Sequence, residues 1–248
     1  MTLIYLIDRI YYKIGKLQLI IYLKYRLRMV LNTVTKNQFD IYKILIELSK
    51  TNPLFCSELE FQFYLAWKIK ELYGKEYQIH LEYPIKDYEG KNKNIDLLLV
   101  NCSGGFIPIE LKYCTSKFEQ NFGNFSYKLK EHSANDQTRY KYLKDIYRLE
   151  TFKAIESKFI VGYAIIITNQ CRTWQKIVNK SQTDYDFSLE DNSLISSGIK
   201  KWSENTAPST QKDCPQIVLQ NDYFIKWQDY STFNDRHGQF KVLVTEVK

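Results

Sequence analysis

The chain has 248 residues, 44% of them apolar and 25% charged, with nine glycines and five prolines. That length supports a real hydrophobic core, and so few glycines and prolines exclude long disordered linkers. The formal charge of +7 favours an anionic partner, and residues 1–50 carry nine Lys/Arg against three Asp/Glu, so most of the excess lies in the N-terminal fifth.

Residues 1–35 read as a basic, aromatic-rich helical extension. Its longest apolar stretch, Leu17 to Leu23, is flanked by Asp8, Arg9, Lys13, Lys16, Lys24, Arg26 and Arg28. Those charges argue against a transmembrane helix of about 20 apolar residues. No small-residue cleavage site follows, which argues against a signal peptide. The five cysteines are odd in number, scattered and without a C-x-x-C pair, so they read as free thiols of a cytoplasmic protein. The three histidines have no zinc spacing.

Residues 36–248 read as one domain. "DIYKILIELSK" (Asp40 to Lys50) has helical period, with Ile41, Ile44, Leu45 and Leu48 on one side, and Asn52-Pro53 ends it. "SELEFQFYLAWKIKELYG" begins with a capping box, Ser57 and Glu60, and stops at Gly74. Glu58, Phe61, Leu65, Ile69 and Leu72 share one stripe of that helix, so a carboxylate heads its apolar face.

"EYQIHLEYPI" (Glu76 to Ile85) alternates as a strand does. "IDLLLV" and "GFIPIELKY" come next as two strands joined by the turn-rich "NCSGG". A loop rich in Asn, Phe and Gly then leads into a helix around Ala134 to Glu150. "FIVGYAIIITN" (Phe159 to Asn169) is nearly continuous apolar sequence, the mark of a strand buried on both faces. Residues 171–214 read as a polar, irregular excursion, and "PQIVLQ" and "FKVLVTEV" supply late strands. The order of elements predicts a mixed α/β fold.

Side chains two apart on a strand share a face. Pro108, Glu110 and Lys112 therefore point together, and a hairpin brings Asp96 of the preceding strand beside Glu110. Two carboxylates and an ammonium are costly to desolvate at one spot unless they bind something. Close carboxylates repel unless a cation lies between them, and Mg2+ (or Mn2+ in its place) takes oxygen ligands while keeping several waters. The main-chain carbonyl of Leu111 is a further candidate ligand.

The segments "NIDLLLV" and "IPIELKY" form a D-x13-E-x-K pattern that resembles the PD-(D/E)XK nuclease superfamily, with Ile95 where the name of the motif has proline. The resemblance spans about residues 54–170. It implies a restriction-endonuclease-like fold, a mixed central β-sheet flanked by helices, with residues 36–248 as a single nuclease-like domain. It also implies metal-dependent cleavage of nucleic acid, DNA rather than RNA. Asp96 and Glu110 would hold the metal, Glu58 would assist from the preceding helix, and Lys112 would position the attacking water.

In this superfamily the helix after the motif strands often presents a Gln or a basic residue to the phosphate. On a helical wheel of "DQTRYKYLKDIYRLE", Arg139 falls inside the apolar arc and so needs an anionic partner, a carboxylate or a phosphate. Gln137, Lys141, Lys144 and Arg148 lie opposite, as a solvated face. Arg139 and Gln137 are the candidate phosphate-binding residues. A non-catalytic nucleic-acid-binding or assembly module on the same fold is the alternative function, and a homodimer stays open.

Overall fold

The computed structural model describes residues 39–86, 90–132, 135–177 and 182–248. The expected N-terminal helical extension lies outside the described residues. The chain divides into two units, Met1–Ile41 and Tyr42–Lys248, and the central sheet belongs wholly to the second.

Helix α1 (Ile41–Thr51) buries the predicted stripe of Ile44, Leu45 and Leu48. Helix α2 (Glu58–Tyr73) starts at the expected cap: Glu60 N–H donates to Ser57 Oγ at 3.1 Å. Glu60 Oε2 in turn accepts the N–H of Cys56, the residue before the cap, rather than that of Ser57 as in a standard capping box. Gly74 closes the helix at φ 58°, where a side chain would be strained.

Three strands follow, β1 (Tyr77–Lys86), β2 (Asn92–Asn101) and β3 (Phe106–Cys114), then a hairpin of β4 (Phe118–Phe122) and β5 (Phe125–Leu129). The Asn/Phe/Gly-rich stretch is thus a hairpin rather than a loop; its strands are only five residues long, too short to give a period. Helix α3 (Asn135–Ile155) and strand β6 (Gly162–Thr168) come next. Beyond them lie β7 (Ser193–Ile195), β8 (Gly198–Lys200), α4 (Pro208–Asp213), β9 (Ile217–Leu219), β10 (Tyr223–Ile225), β11 (Trp227–Thr232) and β12 (Gln239–Val247).

The central sheet has the order β1-β2-β3-β6-β12-β11. Only β3 and β6 run parallel; the other neighbours are antiparallel. β6 is buried at every position, as its apolar run predicts. The mixed α/β layout, with a central mixed sheet flanked by helices, is as expected. No helix among the described residues is long and apolar enough to cross a membrane.

Residues 171–177 and 182–214 are irregular, with only three-residue strands and short helical turns, but they are not an excursion away from the core. Phe187, Leu189, Ile195 and Trp202 are buried and pack with Tyr140, Tyr142, Leu143 and Ile146 of α3. The apolar residues there come singly or in short pieces among polar ones, so no sustained helix or strand period reveals their burial.

Candidate active site

The β2–β3 ladder runs from Val100↔Phe106 to Leu97↔Ile109 and stops. β3 continues to Cys114, paired only with β6. Backbone groups alternate along a strand, so Leu111 and Tyr113 turn their N–H groups toward the side that β2 has left. Buried N–H groups need acceptors. Asp96 Oδ2 accepts from Leu111 N at 2.6 Å, and Glu58 Oε2 accepts from Tyr113 N at 2.9 Å. The two carboxylates, one from β2 and one from α2, thus take the place of a strand partner.

Asp96 is also released on its other side. The β1–β2 pairing passes from Leu81↔Leu97 to Tyr83↔Ile95, and Glu82 between them has φ 50°. The Asp96 carbonyl instead accepts from Gln62 Nε2 at 2.7 Å, and the same amide donates to Glu82 Oε1 at 2.9 Å. Gln62 is buried on α2.

Glu110 is fully buried. Its Oε2 accepts from Arg148 Nη1 at 2.7 Å, while its Oε1 has no hydrogen-bond partner. The Lys112 ammonium lies 2.9 Å from Asp145 Oδ2 and donates to the Leu111 carbonyl at 2.8 Å. Arg148 Nη2 is 3.7 Å from Asp145 Oδ1, so α3 ties the two strand residues together. Glu58, Asp96, Glu110 and Asp145 face Lys112 and Arg148: four carboxylates against two cations, an excess of two negative charges when all are ionised.

Burial pushes the Asp96 carboxyl up to about 6, against the pull of Lys112 and of the Leu111 N–H. Burial and the neighbouring Asp145 also raise Glu110, with Arg148 opposing them. For Lys112, burial acts downward, but Asp145, Glu58 and Asp96 outweigh it and hold the ammonium above its ordinary value.

Lys112 and Glu58 also line a cavity of about 740 Å³. Lys128, Lys130, Lys141, Gln137 and Glu131 belong to its wall, which is net basic, whereas Asp96, Glu110 and Asp145 do not line it.

Among the described residues, no group of three or more His, Cys, Asp or Glu side chains could hold a metal ion. What fits a cation is narrower. Glu110 Oε1 is buried and unpartnered, Asp96 lies on the adjoining strand, and the cluster carries excess negative charge when all its carboxyls are ionised. A magnesium ion needs no more than one or two carboxylates when waters and substrate complete its shell. The Leu111 carbonyl, also a candidate ligand, is engaged by Lys112.

Arg139 does find an anionic partner, but a protein one. Its guanidinium pairs with buried Asp184 and bonds the Arg172 carbonyl, and it does not line the cavity. Arg148, expected on a solvated face, instead reaches Glu110. Asp145, Arg148 and Gln62 are the members that sequence reasoning missed. A signal existed on α3: Asp145 and Arg148 are three apart, beside apolar Tyr142, Ile146 and Leu149.

No family model, no curated protein and no solved structure matches this chain.

Proposed function

We propose that the protein is a metal-dependent nuclease that hydrolyses phosphodiester bonds, in DNA rather than RNA. The observation that carries this reading is that Lys112 and Glu58 belong both to the acidic cluster and to the wall of the lysine-lined cavity. A polyanion drawn into the chamber would bring a phosphate beside Lys112 and Glu58, at the edge of the carboxylate cluster.

Asp96 and Glu110 would hold Mg2+ or Mn2+, with Glu58 in support. When bound, the ion supplies a Lewis acid that polarises the phosphate and activates the attacking water. Lys112, held protonated by the acids around it, acts as a fixed cation: it orients the water and neutralises charge gathering on the phosphate. It is poorly suited to removing a proton. Gln137 and the cavity lysines contact the flanking phosphates. In-line attack would leave a 5′-phosphate and a 3′-hydroxyl.

The test is to incubate the full chain with single- and double-stranded DNA and RNA, in Mg2+, Mn2+ or EDTA. Cleavage that needs the metal and is lost in Asp96→Asn, Glu110→Gln and Lys112→Met supports the reading. Intact substrates in every condition sink it.

The second reading is a non-catalytic nucleic-acid-binding or assembly module. The Arg148–Glu110 pair favours it, because a resident guanidinium already neutralises the most buried carboxylate. Salt-sensitive nucleic-acid binding that ignores divalent ions and is lost when residues 1–35 are removed would select this reading.

A further inference from the structure

Three features of Arg148 go beyond a surface ion pair. Its side chain is only 23% exposed, and Nη1 donates both to Glu110 Oε2 at 2.7 Å and to the Asn94 carbonyl at 3.3 Å. Nη2 is directed at Asp145, whose own side chain is 3% exposed and whose other oxygen holds Lys112. One guanidinium therefore reaches β2 through Asn94, β3 through Glu110, and α3 through Asp145.

The pairing is one-sided at Glu110. Arg148 takes Oε2 and nothing takes Oε1, although the residue is fully buried. Buried polar atoms in folded proteins are nearly always partnered. A guanidinium can pair with a carboxylate in bidentate fashion and so satisfy both oxygens. Here only Nη1 reaches Glu110, and Nη2 lies 3.7 Å from Asp145 Oδ1, leaving Glu110 with one anchored oxygen and one without a partner. That is the arrangement expected of a carboxylate oriented for a ligand by a hydrogen bond from behind.

We infer that Arg148 is a positioning residue, which fixes Glu110 through Oε2 and presents Oε1 to a divalent cation shared with Asp96. Asp145 holds Arg148 and Lys112 in a common frame, so the cation site and the Lys112 ammonium are set by the same turn of α3. This role rests on the nuclease reading, and it gives α3 a part in building the site.

The test is Mn2+ titration of the full chain by calorimetry, with no nucleic acid present. Wild type, Glu110→Gln, Arg148→Gln and Arg148→Lys are compared, and thermal melting reports folding. Arg148→Gln should fold and bind Mn2+ about 10- to 100-fold more weakly, the usual cost of losing the partner of a metal ligand. Arg148→Lys should recover part of that loss, because a lysine can still anchor one oxygen. Should Arg148→Gln fail to fold, Arg148→Lys carries the test, with affinity between wild type and Glu110→Gln expected. Unchanged affinity in the folded variants overturns the inference. Tighter binding also overturns it, since Arg148 would then be a competitor of the cation. Absence of Mn2+ binding by wild type removes the nuclease reading itself and this inference with it. Binding by wild type that is indifferent to Arg148 removes only the inference.

Discussion

Leu111 donates its main-chain N–H to Oδ2 of Asp96 at 2.6 Å, where a β-strand would ordinarily offer a backbone carbonyl. The consequence is structural and electrostatic at once. A carboxylate has become part of the sheet's hydrogen bonding at the point where β2 and β3 diverge. It is thereby held half-buried near Glu110.

That burial predicts an unusual pH dependence. Asp96 has an ordinary value of 3.8 and is raised to about 6 in the fold. Between those values the folded state retains a proton that the unfolded state has lost, so the contribution of Asp96 to stability falls as pH rises through this window. Above about pH 6 the full penalty applies, on the order of 3 kcal/mol for a shift of this size. In metal-free protein, Asp96→Asn should be more stable than wild type at pH 7.5 and lose that advantage by about pH 4. Chemical denaturation at both pH values checks it. An advantage that grows toward acid would contradict the assignment.

Arg139 should behave as a structural residue. Arg139→Ala strands the buried Asp184 carboxylate, and breaking such a pair costs about 3–5 kcal/mol. Replacing both partners, as Arg139→Met with Asp184→Leu, should recover much of the loss. Mn2+ affinity should not change in either variant. Undiminished stability with lost cleavage would instead make Arg139 a phosphate ligand.

The cavity lysines should set the salt dependence. Replacing Lys128, Lys130 and Lys141 by alanine together should weaken nucleic-acid binding across sequences alike. It should also reduce the slope of log affinity against log salt by roughly 2–3, one contact per lysine. Filter binding at several salt concentrations measures this. An unchanged slope would place the nucleic acid elsewhere on the protein.

Gln62 should matter more than its single amide suggests. Gln62→Ala leaves the Asp96 carbonyl and the Glu82 carboxylate without their shared donor. The expected loss is about 1–3 kcal/mol in stability, with weaker Mn2+ binding. A variant that melts and binds as wild type does would show that the anchor is dispensable.

Much of the fold could be read from local pattern. The capping box of Ser57 and Glu60, the alternation around Glu110 and the apolar run of β6 each carry their signal within a few residues. The placing of Glu58 is instructive in another way. The residue is exposed, at the head of the stripe as expected, yet its carboxylate bonds Tyr113 on a strand far along the chain. Arg148 and Arg139 show what periodicity cannot carry. Both lie on α3, and the wheel sends Arg139 inward and Arg148 outward. Which acid each meets depends on how far the strands splay and on where Asp184 is brought by a segment without period. Long side chains also bend around a helix, so a residue on the polar arc can still reach Glu110. The burial of Phe187, Leu189, Ile195 and Trp202 is hidden for a related reason: short apolar pieces without a period are legible only once α3 gives them a surface.

The central claim is that Asp96 and Glu110 hold a divalent cation that drives phosphodiester cleavage. Calorimetric Mn2+ titration of wild type beside Asp96→Asn, with cleavage of a labelled DNA followed on the same samples, tests it most directly. Saturable Mn2+ binding and metal-dependent cleavage are expected of wild type, with both lost in the folded variant. Cleavage without a metal, or Mn2+ binding that survives Asp96→Asn, would contradict the claim.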